Sequence, residues 1–273
     1  MNAPIQAMMC GSCGGTMAFR IGHAAPACVY CGTEALEPLK DAIAVDPDGY
    51  LPFSTTQEEA RASFVSFASA SWWTPGAFKE AATSFKDVLV PAWSWRGTVT
   101  VYWAGLKRAS TKSGQRPVSG SKTAQMRGVM VPSSRALTRV ELRNLGVFDE
   151  ESLQPWDAND PPGTFEIATL TEAAAYEQGV LEMGHRLSRE AAPGISDLGY
   201  SAVGQDDVSG QAVYVPVYIG VATYREKPFR VLVNGRTGAI TGDRPIDPIK
   251  VAMVVLGVLS VIGAILYFGG GMN

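Results

Sequence analysis

Cys10-Gly-Ser-Cys13-Gly14 and Cys28-Val-Tyr-Cys31-Gly32 contain all four cysteines of the 273-residue chain, in two matching frames. Each frame puts two thiolates on one tight turn. The glycine after the second cysteine, Gly14 or Gly32, supplies the positive φ that such a turn requires and that a side chain resists. The fourteen residues between Cys13 and Cys28 carry Met17, Phe19 and Ile21 in alternation. They are expected to form a short hairpin arm that brings the second pair round to complete a tetrahedron. Cys10, Cys13, Cys28 and Cys31 therefore read as the ligands of a zinc ribbon over residues 1–40, with iron in a rubredoxin-like role as the other metal that suits the spacing. Four thiolates leave no open position, which points to a structural metal. His23 lies between the frames and reads as a loop histidine.

Thiols grouped in this way suit a reducing compartment. The first residues, MNAPIQAMM, have neither the basic start nor the apolar stretch of a secretory signal. A segment of about forty residues buries little apolar surface, so metal binding is expected to supply most of its folding free energy.

At the other end Val251–Phe268 has no charged residue. Eighteen residues at ~1.5 Å each span about 27 Å, close to the hydrocarbon thickness of a bilayer. Residues 249–268 are expected to form a single transmembrane helix. Arg244 and Lys250 precede it, so the positive-inside rule puts the N-terminal part in the cytoplasm of a tail-anchored protein of the inner or plasma membrane.

A linker over 41–50 leads to a central α+β domain over 51–245. Thr55-Thr-Gln-Glu58-Glu59 carries a capping-box pattern, and Ala60, Phe64 and Phe67 follow at helical spacing. Thr74-Pro75 is expected to start a second helix running to about Lys86. Val88 to Trp95, Arg96-Gly97 and Thr98 to Trp103 read as a β-hairpin. Residues 106–128 are rich in Lys, Arg, Ser, Gly and Thr and read as a long basic loop. No acid occurs between Asp87 and Glu141. Gly120-Ser-Lys122-Thr123 lacks the spacing of a phosphate-binding loop. A helix near residues 135–145 follows, and Thr169-Leu-Thr-Glu172 reads as a capping box opening a helix with Ala173, Val180, His185 and Leu187. Strands near 212–218, 221–224 and 229–234 come last, with a tight turn at Asn234-Gly235. Val88-x-Val-Pro91-x-Trp93 and Val213-x-Val-Pro216-x-Tyr218 share one frame, which suggests two related halves in one sheet. Proline in both is expected at a strand edge or bulge.

Several motifs give the chain a resemblance. Pro52-Phe53, Glu58-Glu59-Ala60, Val88 to Trp93, Leu153-Gln-Pro155-Trp156-Asp157, Val233-Asn-Gly-Arg-Thr-Gly238 and Gly242-Asp-Arg-Pro245 occur in this order. In this the chain resembles a family of bacterial membrane-anchored zinc-ribbon proteins, sometimes labelled primosome- or helicase-like, whose function is unsettled. The resemblance implies the architecture more than an activity. Nucleotide-binding motifs that a helicase needs are missing. With two histidines, no nucleophile motif and no paired carboxylates at a telling spacing, the expectation is a non-enzymatic adaptor that recruits a protein partner. Anionic lipid is a further candidate ligand for the basic loop. The alternative is a membrane-tethered nucleic-acid-binding protein using the same loop. The ribbon itself offers phosphates only Arg20 and Lys40, offset by Glu34 and Glu37.

Overall fold

The two Val-x-Val-Pro frames meet at the centre of the molecule. In the computed structural model, which describes residues 5–20, 27–39, 47–81, 84–108, 114–134, 137–157 and 161–269, they lie on neighbouring antiparallel strands. The elements in chain order are β1 (Ile5–Cys10), β2 (Thr16–Arg20), β3 (Leu36–Pro38), β4 (Gly49–Tyr50), α1 (Gln57–Ser69), α2 (Gly76–Lys79), β5 (Phe85–Arg108) and β6 (Gln115–Pro132). There follow α3 (Arg139–Asn144), a 3-10 turn (Glu150–Ser152), α4 (Glu172–Ala191), β7 (Ser196–Gly204), β8 (Ser209–Tyr224), β9 (Lys227–Asn234), β10 (Ile240–Gly242) and α5 (Pro248–Gly269). The fold is mixed α+β with antiparallel sheets.

The main sheet runs β10-β9-β8-β5-β6, with β4 beside β8 and β7 beside β5. Strand β5 pairs with β8 from Phe85↔Gly220 to Arg96↔Ser209, so that Val90 faces Val215. About that pair the two frames are related by a local twofold: Val88 matches Val213, and Pro91 matches Pro216. The relation extends to the hydrogen bonds on the outer edges. Segment 164–166 runs parallel to β5 at Leu89, and β4 runs parallel to β8 at Tyr214. Glu166 N donates to Leu89 O and Leu51 N to Tyr214 O, each at 2.9 Å.

Both prolines therefore lie in central strands, not at a sheet edge. Each sits where its strand changes its outer neighbour, from segment 164–166 to β6 at Pro91 and from β4 to β9 at Pro216. A missing N–H costs least at such a junction. The carbonyls there are satisfied by Ser133 N and Gly235 N, both at 2.9 Å.

Further expectations give way. Arg96-Gly97 is no turn: β5 continues for 24 residues and only shifts register between Trp95 and Gly97. Gly97 has φ 141, and a Cβ there would lie 2.5 Å from Val208 Cα, so a β-bulge at a close backbone approach produced the turn-like signal. The basic loop is largely strand. Residues 115–125 of β6 pair in register with β5, and only 109–113 at its tip lie outside the described residues. The second helix is four residues long, because Phe85 onward pairs with β8 instead. Helix α3 is shorter than expected and is opened by a Thr138–Glu141 capping box. The expected box at Thr169–Glu172 does not form, since the Thr169 hydroxyl donates to Ser133 O at 2.9 Å and Thr171 occupies the N-cap. The box at Thr56–Glu59 is present.

Helix α4 covers β5, β6 and β7 with Ala175, Val180, Met183 and Leu187, while α1 and α2 pack Phe64 and Phe78 on Phe85, Val231 and Val233 at the other end. Asn234 closes the second half. It is fully buried; its Nδ2 donates to Leu145 O at 2.9 Å and Val147 O at 3.3 Å, and its Oδ1 accepts from Arg236 N at 2.8 Å and Thr237 N at 3.3 Å. One side chain thus ties the β9–β10 turn to the end of α3. Asn234→Ala is expected to destabilise the fold by about 2–3 kcal/mol, because buried donors and acceptors lose their partners. Denaturant unfolding of the two proteins in the same detergent measures it, and an unchanged midpoint would refute this role.

Candidate metal centre

The two cysteine frames fold into the same turn twice. Gly14 N donates to Cys10 O and Gly32 N to Cys28 O, both at 2.9 Å. Cys10 N donates to Gly15 O at 2.9 Å and Cys28 N to Thr33 O at 2.7 Å. Gly14 has φ 72 and Gly32 φ 77. A Cβ at either would meet nothing within 4 Å. Backbone conformation, not space, asks for glycine at these positions.

The strands differ from the expected hairpin arm. Thr16–Arg20 pairs back on Ile5–Cys10 across the first turn, and Leu36–Pro38 adds on the other side of β1 to give the order β2-β1-β3. Ile21 and His23 lie outside the described residues.

This framework gathers the four sulfurs within 4.8 Å of one another. Cys10 Sγ lies 3.7 Å from Cys31 Sγ, and Cys13 Sγ 3.6 Å from Cys28 Sγ. A disulfide needs ~2.05 Å. A tetrahedron with metal–sulfur bonds of ~2.3 Å has edges of about 3.8 Å, which the observed pairs approach. Cys10 and Cys28 are buried, Cys31 is half-buried and Cys13 is exposed. Burial raises Cys10, but the N–H groups of Cys13 and Ser12 outweigh it and bring the thiol to about 7. Burial pushes Cys28 up to about 11 and raises Cys13 as well. Four thiolates in this space need a cation.

The centre is built into the body. Ala18 N donates to Phe165 O at 2.7 Å, and the Thr16 hydroxyl to Ile167 O at 3.2 Å, so segment 164–167 lies between β2 and β5. Met17, Cys28, Val29 and Tyr30 join Val88, Val90, Val215 and Val217 in one core. The Tyr30 hydroxyl donates to the fully buried Glu166 carboxylate, whose residue also accepts at its carbonyl from the Tyr214 hydroxyl at 3.0 Å. Burial and the charge of Glu166 hold both phenols above their ordinary pKa. The sequence did not single out this Tyr30–Glu166–Tyr214 group. Nothing in local spacing links residues 136 positions apart.

The motifs that carry the resemblance pack on one another. Phe53 packs against Tyr218 with ring centroids 4.8 Å apart and fills the space a Cβ on Gly235 would need. Arg236 donates to Pro52 O at 3.3 Å and Ser152 Oγ at 2.7 Å. Trp156 packs on Tyr214 at 4.5 Å and Phe165 at 5.2 Å. His185 sits half-buried on α4 beside Tyr200, and burial followed by the Arg143 charge lowers its pKa.

At the far end, α5 is long and apolar enough to cross a membrane, and none of residues 248–265 is buried. An open groove of about 820 Å³ between the β5 bulge and the 3-10 turn sets Arg96 and Arg127 among Asp149, Glu150 and Asp207. Burial raises the Glu150 carboxyl there, against the pull of Arg96. No family model matches the chain, and neither a curated protein nor a solved structure matches it.

Because the cysteine turns share a core with the sheet, removing the metal is expected to lower the unfolding temperature of the whole chain. Melting a separate small unit would contradict this. Binding must release protons from Cys13 and Cys28, so apparent affinity should fall by more than about tenfold per pH unit on acidification from pH 7. Chelator competition at several pH values measures this. Cys28→Ser should abolish one-to-one metal binding, which elemental analysis would register.

Proposed function

We propose that the chain is a non-enzymatic adaptor, anchored in the inner or plasma membrane by α5 and stabilised by zinc at a ribbon of four cysteines facing the cytoplasm. The observation that carries this reading is the four-thiol cluster, its sulfurs within 4.8 Å of one another, joined to the core of the sheet. A centre with all positions filled by protein sulfur holds structure and offers a substrate no place to bind. Zinc is preferred over iron on spacing and ligand type, four cysteines in two paired frames. Arg244 and Lys250 before α5, and thiols that require a reducing compartment, support the cytoplasmic orientation.

The β5–β6 arm supplies the surface for a partner. Lys107 and Arg116 are direct cross-strand neighbours and share a face with Lys122, which lies 3.8 Å from Glu190 of α4. Arg108 belongs to the opposite face, by strand alternation. Like charges set opposite each other destabilise a sheet, so a ligand that brings acids to the arm accounts for them best. The arm leaves the body at the end of β5 remote from Phe85, where α1 and α2 pack. Along 24 residues that is up to about 75 Å of strand. Such a position favours an acidic protein over the lipid surface beside α5.

Native-membrane crosslinking and pull-down with the full chain tests this reading. The wild type should recover a defined protein partner, and replacing Lys107, Arg108, Lys112, Arg116, Lys122 and Arg127 by Gln should lose it. Tight oligonucleotide binding with steep salt dependence, lost in the same variant, would instead establish the nucleic-acid alternative.

A further inference from the structure

Ser71-Trp72-Trp73-Thr74 forms the turn between α1 and α2 and presents two adjacent indoles to solvent. Trp72 is 58% exposed and Trp73 41%, and their rings meet edge to face at 4.9 Å. Indoles left this open in a folded protein forgo the burial that large aromatic groups ordinarily obtain. Their place in the fold suggests what covers them.

The same turn holds the start of α5. Lys250 Nζ donates to Trp72 O at 2.7 Å and Thr74 O at 2.9 Å, and lies 4.0 Å from the Asp247 carboxylate. Asp247 N donates to Trp73 O at 2.8 Å. Just before, Arg244 donates to Phe67 O at 3.0 Å and stacks over the Phe67 ring at 4.3 Å. Helix α5 is thus joined to the body by backbone carbonyls of the tryptophan turn itself. The Trp72 ring lies 5.5 Å from Lys250 Nζ in its first turn, and Ile246 and Ile249 of the same stretch of chain are exposed. A tryptophan at that level meets the zone between headgroups and acyl chains, where an amphipathic ring with one N–H is best accommodated. The neighbouring Arg244 and Lys250 carry the charge that phosphate headgroups attract.

We propose that Trp72 and Trp73 insert into the headgroup–acyl boundary of the same bilayer that α5 crosses, so that this surface is a lipid-docking site seating the body on the membrane. The inference rests on the reading of α5 as a span. It adds a second, separate contact and fixes the orientation of the sheet.

The test uses the full chain reconstituted in phosphatidylcholine vesicles, with or without lipid brominated near the glycerol end of its acyl chains. Six tryptophans are present and none lies in α5. Bromine should therefore quench emission up to the share of two tryptophans in the wild type. Trp72→Phe/Trp73→Phe should show no such loss while retaining its metal content and its far-UV dichroism. Alkaline extraction of the same vesicles distinguishes the two failures. Protein that resists extraction but shows no bromine quenching leaves α5 as a span and overturns the lipid contact, as would indoles hidden by a second copy of the chain. Protein that alkali releases overturns the span itself, and the inference with it.

Discussion

The pairing of β5 with β8 about Val90 and Val215 is the constraint on which the rest of the molecule depends. It places two proline-bearing strands side by side and forces each to change its outer neighbour at the proline. The openings created there admit segment 164–166 on one side and β4 on the other. The segment at 164–167 is in turn what β2, next to the first cysteine turn, grips. A change in the central register by one residue would turn every valine of this core to the wrong face and remove both docking edges.

The cysteine cluster and the sheet therefore share one core. The expected picture of a small ribbon that depends on its metal alone misses Tyr30, whose ring is fully buried against the sheet and whose hydroxyl donates to Glu166. A buried carboxylate is costly unless its oxygens are satisfied. Ribbon docking supplies one of those donors, so loss of the ribbon exposes the strain of a charged group in the core. A metal held by the four sulfurs would be coupled to the body by this route.

Local chemistry was the legible part of the sequence. Cysteine frames followed by glycine, the Thr56–Glu59 box and an uncharged C-terminal run each act within a few residues, and each lies where it was expected. Long-range pairing was not legible. Arg96-Gly97 imitates a turn because a bulge and a turn both ask for glycine, and only the close approach of Val208 distinguishes them. Residues 115–125 of β6 look like a loop because most are exposed, so no period of two survives. Thr169 had the spacing of a cap but found Ser133 first. Nothing in the sequence around Trp72 and Trp73 announces that residues 244–250 fold back to them.

Residues 243–247 are the whole connection between β10 and α5, and side chains at both of its ends are bound to the body through Phe67, Trp72 and Thr74. Five residues reach at most about 17 Å even when fully extended, and here Arg244 and Asp247 are hydrogen-bonded to the body. A tethered domain with a loose linker explores a hemisphere and raises its effective concentration for any ligand within that radius. A domain held at the neck explores almost nothing beyond its own outline. If α5 crosses a bilayer, encounters are governed by lateral diffusion in the plane. A partner riding on the same membrane then meets this protein at one fixed height, and one arriving from solution finds the approaches from below closed.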